Sequence, residues 1–216
     1  MKSLIGATLV ALALSQPALS SDYNKVNGSI NVPAGETVGE AETVNGSIQV
    51  GERAKVGSIE TVNGSITLAA GATAGGVETV NGSVKIGRGA QVSGDVEAVN
   101  GKLSIEDEAV VGGQVSNVNG NIEIARARIK GKITTVAADL TVGAGGQIDG
   151  GIHYQKAKSN WLWSGRAPRV VIGPDAVVGG SLVFERDVVL YVSDTAKIGR
   201  VTGAKVINFT GASPPG

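Results

Sequence analysis

Between Val26 and Val92 a small aliphatic residue falls on every sixth position without a break: Val26, Val32, Val38, Val44, Val50, Val56, Val62, Leu68, Ala74, Val80, Ile86 and Val92. A larger unit rides on this hexad. The phrase Val-Asn-Gly-Ser-Ile begins at Val26 and returns at Val44 and Val62, then as Val80-Asn81-Gly82-Ser83-Val84, with looser copies at Val99 and Val118; the unit is 18 residues long and becomes 19 in the last two steps. Three hexads per unit make a coil with three sides. A period near this length marks a solenoid, in which each unit buries its apolar face on its neighbours. The density of glycine and β-branched residues leaves little room for helix. The expected fold is all-β: a single-stranded parallel β-helix (β-solenoid) with triangular coils of about 18 residues.

Within a coil the sides read Val-Asn-Gly-Ser-Ile, then Val-Gly-x-Gly-Ala, then Val-Gly-Gly-x-Glu-Thr. Two residues per side are expected to point inward, Val62 with Ile66 and Leu68 with the smaller Ala72. The glycines are expected at corners, where φ > 0 is needed. One-residue slips before Val99 and Val118 call for corners that take an extra residue, as a bulge does. Around Ala125-Arg126-Ala127-Arg128-Ile129-Lys130 the phase puts Lys130 where an aliphatic residue is due. Regular coils run from residue 21 to 153. From 154 to 169 the pattern gives way to a basic, tryptophan-containing insertion. It resumes over 170–209 at Ile172, Val178, Phe184, Leu190 and Ala196, and 210–216 reads as a flexible tail.

Met1-Lys2, the apolar run Leu4 to Leu14 and the small residues Ala18-Leu19-Ser20 read as a signal peptide over residues 1–20, cut after Ser20. The apolar run is shorter than the ~20 residues a membrane span needs. The expected product is exported, periplasmic or extracellular at the cell envelope, with no integral membrane segment after cleavage. Cysteine is absent, so neither disulfides nor thiolate metal sites are available. The 19 basic and 19 acidic residues balance, giving no pull toward nucleic acid. Aromatic residues are only 3% of the chain and glycines number 33, which suits a narrow stacked core better than a conventional globule.

Four features are candidates for chemistry or recognition. Asn27, Asn45, Asn63, Asn81, Asn100 and Asn119 fall in one column, where stacked amides can hydrogen-bond and pin register. Glu42, Glu60, Glu78 and Glu97 form a second column, a solvated row or a weak candidate for divalent cations, although calcium wants six to eight oxygens. Trp161 and Trp163, flanked by Lys158 and Arg166, suit sugar stacking or protein contact. His153 is the sole histidine, with no acidic residue at fixed spacing to support it as a base. The start of the rod is a fifth feature. After cleavage only Ser21 to Lys25 precede the first repeat, too little to cap it, and a bare coil frays or stacks on another molecule.

The stretches Ile86-Gly87-Arg88-Gly89-Ala90-Gln91-Val92-Ser93-Gly94 and Ile172-Gly173-Pro174-Asp175-Ala176-Val177-Val178-Gly179-Gly180 resemble the repeats of the bactofilin, or polymer-forming cytoskeletal, family over most of residues 26 to 203. That resemblance implies a right-handed triangular β-helix polymerising end to end without nucleotide. The Glu-Thr-Val-Asn-Gly-Ser-Ile phrase is similar to β-solenoid repeats of putative adhesins, and the bare hexad to hexapeptide acyltransferases. The expected function is an exported, non-catalytic structural protein that self-associates and uses no cofactor. An adhesin-like module engaging glycan or another envelope protein through the tryptophan insertion is the alternative, and an acyltransferase with His153 as base is a third.

Overall fold

The computed structural model describes residues 21–156 and 166–215, which form 26 strands and no helix. The strands pair in parallel and stack as a β-solenoid. One face is a ten-stranded sheet running from Ile30–Val32 to Val206–Phe209, one strand per coil. The other two faces share a sixteen-stranded sheet. In the early coils the nine-residue strands Thr37–Asn45, Lys55–Asn63 and Thr73–Asn81 run along both of these faces. In the next coil they become two short strands, Gln91–Val92 and Val96–Asn100. The register supplies the cause: Ala74 pairs with Val92, a step of 18, whereas Val77 pairs with Val96, a step of 19. The extra residue falls in Ser93-Gly94-Asp95 and turns a continuous strand into a corner. The opposite adjustment restores the core at the rough stretch. Val111 pairs with Ile129, a step of 18, so Ile129 and Ala127 enter the core and Lys130 stays exposed.

The core is a set of straight columns. Ile30, Ile48, Ile66, Val84, Leu103, Ile122 and Leu140 stack in register and are each at most 2% exposed. Burying one such side chain fully contributes roughly 1.5–3 kcal/mol. Leu68 and Ala72 also turn inward as their pattern implies. The valine of the Val-Asn-Gly-Ser-Ile phrase does not. Val26, Val44, Val62 and Val99 are exposed by 68, 41, 42 and 39%, while Thr43, Thr61 and Thr79 beside them are buried. Strand alternation is the reason: the inward positions of Lys55–Asn63 are Val56, Ile59 and Thr61, and the next residue, Val62, must face out. Each buried threonine is satisfied across one coil, its Oγ1 donating to the carbonyl of Gly28, Gly46 or Gly64 at 3.0–3.1 Å.

Gly46 and Gly64 are required for space more than for turn geometry, whereas Gly28 has room for a Cβ and takes a φ of 110°. A Cβ on Gly64 would lie 1.9 Å from the carbonyl oxygen of Gly46, and one on Gly82 1.9 Å from that of Gly64. Among the copies, Gly28, Gly101 and Gly120 take positive φ. The neighbouring asparagines do form the expected ladder: Nδ2 of Asn45, Asn63, Asn81 and Asn100 each donates to the Oδ1 of the asparagine one coil earlier at 3.0–3.1 Å. Asn119 pairs in register with Asn100 at the end of that column.

The coil continues across the insertion. Ile152–Tyr154 lies between Ile133–Thr135 and Leu182–Phe184, and Arg169–Ile172 between Asp139–Val142 and Val189–Ser193. Tyr154 is wholly buried in the threonine column, donates to the Ala138 carbonyl at 2.8 Å and packs on Phe184 with ring centroids 5.3 Å apart. The tail, read as flexible, lies back along the rod. Ala212, Ser213 and Pro214 face Asn121 and Thr141 across a cleft on the ten-stranded face, and the Arg169 guanidinium donates to the Pro215 carbonyl at 3.2 Å.

Gly64→Ala is expected to cost about 2–3 kcal/mol by overpacking against backbone, whereas Gly89→Ala, with open space around the new methyl and φ of 64°, costs only the left-handed penalty of ~1 kcal/mol. Chemical denaturation of the two variants checks the order. Ala98 occupies the threonine column, so Ala98→Thr places a hydroxyl where the repeat hydrogen-bonds to the preceding coil and is expected to add ~1 kcal/mol. An unchanged or lower denaturation midpoint for that variant contradicts the assignment.

Candidate functional site

The outward valines make one row along the rod, and a carboxylate row runs beside it two residues upstream. Register places Asn24, Glu42, Glu60, Glu78 and Glu97 in a single column. The two rows line a shallow groove of about 430 Å³ that includes Val26, Val44, Val62 and Val80. Four of the five large exposed hydrophobic residues among the described residues lie in this valine row. Elsewhere acids meet cations across coils, as in Lys85 with Glu106 at 2.8 Å, Lys102 with Glu123 at 2.6 Å and Arg128 with Asp149 at 2.9 Å. Among the described residues Glu42, Glu60, Glu78 and Glu97 have no such ion pair. Burial first, and then the charges of Glu42, Glu78 and Glu40, push the Glu60 carboxyl above the ordinary glutamate value. The row stands one carboxylate per coil, and among the described residues no three His, Asp or Glu side chains are grouped to hold a metal ion.

His153 sits on the strand Ile152–Tyr154 and continues this same column through Ser116 and Thr134. Its Nε2 lies 2.9 Å from Oε1 of Glu185, a partner 32 residues away that hexad spacing could not reveal. The histidine hydrogen bond, followed by the Lys156 backbone amide at 3.2 Å, holds the Glu185 carboxyl below its ordinary value. Glu185 thereby ties the outgoing root of the insertion to the coil beneath it. No serine or threonine hydroxyl is bonded to His153 among the described residues. Trp161, Trp163 and Lys158 lie outside the described residues. Arg166 is committed to an ion pair with Asp139, whose second oxygen accepts the Arg169 amide at 2.8 Å.

The two ends of the rod differ. At the start, Ile30 and Val32 are 2% and 0% exposed, and Tyr23 packs against the core with its hydroxyl donating to Glu36 at 2.9 Å. Tyr23 thus adds an aromatic contact to the first coil that composition alone did not suggest. At the far end Ile198, Val201, Ala204 and Val206 are only partly buried. Their column neighbours one coil inward, Val178, Leu182 and Leu190, are 1%, 0% and 0% exposed. The hexad marks Val178 and Leu190 but not Ile198, Val201, Ala204 or Val206, and it cannot say which coil has a neighbour on only one side.

Set against models of known protein families, characterised proteins and solved structures, the chain matches none.

Glu60→Gln is expected to raise stability at pH 7 by less than ~1 kcal/mol. With a raised folded pKa, the native state holds a proton that the unfolded chain releases above its ordinary value of about 4.3, so the charged form weakens the fold above that window. The gain of the variant should therefore disappear below pH ~4 and shrink in high salt. Melting curves of both proteins at pH 7 and pH 3 test this, and a gain that persists at pH 3 contradicts it.

Proposed function

We propose that this chain is an exported, non-catalytic structural β-solenoid of the bactofilin-like style that assembles end to end at the cell envelope. The observation that carries the reading is the last coil. Ile198, Val201, Ala204 and Val206 remain half-covered although Phe209 beside them is buried, and its strands Lys197–Ile198, Val201–Thr202 and Val206–Phe209 pair on one side only among the described residues. A terminal coil with an open ladder and uncovered core is a template for further parallel pairing. The tail, which could have folded over this end, lies back along the ten-stranded face instead. The leader-like residues 1–20 and the absence of cysteine agree with export of a rod held by packing and backbone pairing alone.

A non-catalytic role is supported by an exterior built of repeated, mutually equivalent side chains. The test is negative-stain microscopy with sedimentation velocity on the full chain, expressed with its first 20 residues and purified as the cell processes it. Rods longer than one molecule, growing with concentration, are expected. A monomer across the whole concentration range contradicts the reading, and acyl transfer lost in His153→Ala contradicts its non-catalytic part.

A further inference from the structure

We infer that Asn119 is a site of spontaneous covalent modification, at which the backbone nitrogen of Gly120 closes on the side-chain amide to form a succinimide, while the same dipeptide elsewhere in the rod is shielded by the fold. Asn-Gly occurs six times, beginning at Asn27, Asn45, Asn63, Asn81, Asn100 and Asn119. Glycine is the residue that hinders this ring closure least, having no side chain and the widest backbone freedom. The six copies share that chemistry and differ in what holds them.

The reaction needs two groups free at once. The glycine nitrogen gives up its proton and attacks Cγ of the asparagine, so a C–N bond forms, the bond from Cγ to Nδ2 breaks, and ammonia leaves carrying that nitrogen and the proton. Water, the one co-reactant, then opens the five-membered ring at either carbonyl and leaves aspartate or its β-linked isomer. A glycine N–H held in a hydrogen bond and a carboxamide held in a ladder both have to be released before this can begin.

Five of the six pairs are held in both ways. The amides of Gly28, Gly46, Gly64, Gly82 and Gly101 donate to the carbonyls of Asn45, Asn63, Asn81, Asn100 and Asn119 one coil on, at 2.8–3.1 Å. The carboxamides of Asn27, Asn45, Asn63, Asn81 and Asn100 are the rungs of the ladder. Asn119 ends both series. Asn117 pairs with Thr135, so the residue that meets Asn119 in the next coil is Ala137, which has no amide to offer its Oδ1. The Ala137 amide donates to the Val118 carbonyl at 2.9 Å, but the return bond from Gly120 is not made: among the described residues neither the Gly120 amide nor the Asn119 carboxamide has a hydrogen-bond partner. The cause lies one residue earlier. Thr43, Thr61, Thr79 and Asn117 reach back to the carbonyls of Gly28, Gly46, Gly64 and Gly101, whereas the Thr135 hydroxyl accepts the Ala138 amide at 3.2 Å and closes its own coil. Asn119 is exposed and Gly120 half-buried, so water reaches the pair. Because Nδ2 of Asn119 serves no rung, its conversion to aspartate leaves the rest of the ladder in place.

The wild-type chain carries its own controls, since five shielded copies of the dipeptide sit beside the open one. The purified folded protein is held for weeks in mildly alkaline buffer, with a second sample unfolded in concentrated urea, and both are mapped peptide by peptide by mass spectrometry for the change from amide to acid and for the β-linked isomer. In the folded sample Asn119 is expected to convert about tenfold faster than any of the other five, each of which must first break at least one hydrogen bond from its glycine amide and one from the ladder. In urea the six rates are expected to converge. Equal rates at all six sites of the folded protein, or another pair leading, overturn the inference. A lead for Asn119 that is as large in urea as in the folded protein overturns it too, because the flanking sequence and not the fold then selects the site.

Discussion

Everything in this rod follows from the closeness with which one coil's backbone lies on the next. Gly46, Gly64 and Gly82 approach the carbonyl of the preceding copy so nearly that a Cβ would fall 1.9–2.2 Å from its oxygen. At that separation each backbone strand bonds to its neighbours above and below, and side chains of one column touch along the axis. The buried threonine hydroxyls and the asparagine amides use the same spacing, each reaching back one coil to a fixed partner. Register is therefore held by at least three kinds of contact that all fail together if a coil slips. A slip of one residue would also turn the alternating inward and outward positions inside out.

The same spacing governs the exterior. A side chain repeated in sequence becomes a row in space, so four recurring glutamates give four carboxylates in line and a recurring valine gives an apolar stripe. The row tolerates its self-repulsion because it faces water, where unit charges about 5 Å apart interact by under 1 kcal/mol. Where the repeat decays toward the C-terminal coils, equivalent positions carry varied residues. Cross-coil ion pairs, the His153–Glu185 contact and the Tyr154–Phe184 stack appear there instead.

Much of this architecture was legible in the sequence because a six-residue apolar period leaves few alternatives. The coil length, the inward Ile66, Leu68 and Ala72, the asparagine ladder and the resumption of the core at Ile172 and Val178 could all be read directly. The outward facing of the repeated phrase's valine could not. The hexad marks positions at a corner as readily as positions on a side, and only strand alternation after Ile59 and Thr61 places Val62 outside. The role of the glycines was likewise ambiguous, since positive φ and close approach select the same residue. The Glu185 partner of His153 depends on a coil lengthened by the insertion, so no fixed spacing pointed to it. The packing of Tyr23 on the core and its bond to Glu36 were also hidden, being a single local contact outside the repeat.

The proposed end-to-end assembly would continue the interaction that builds each molecule, with the junction as one more coil step. The most direct measurement is electron cryomicroscopy of assembled rods. Ten coils at about 4.8 Å each predict a rise of roughly 48 Å per subunit along the rod, with subunits joined end to end. Particles no longer than a single molecule would contradict the account.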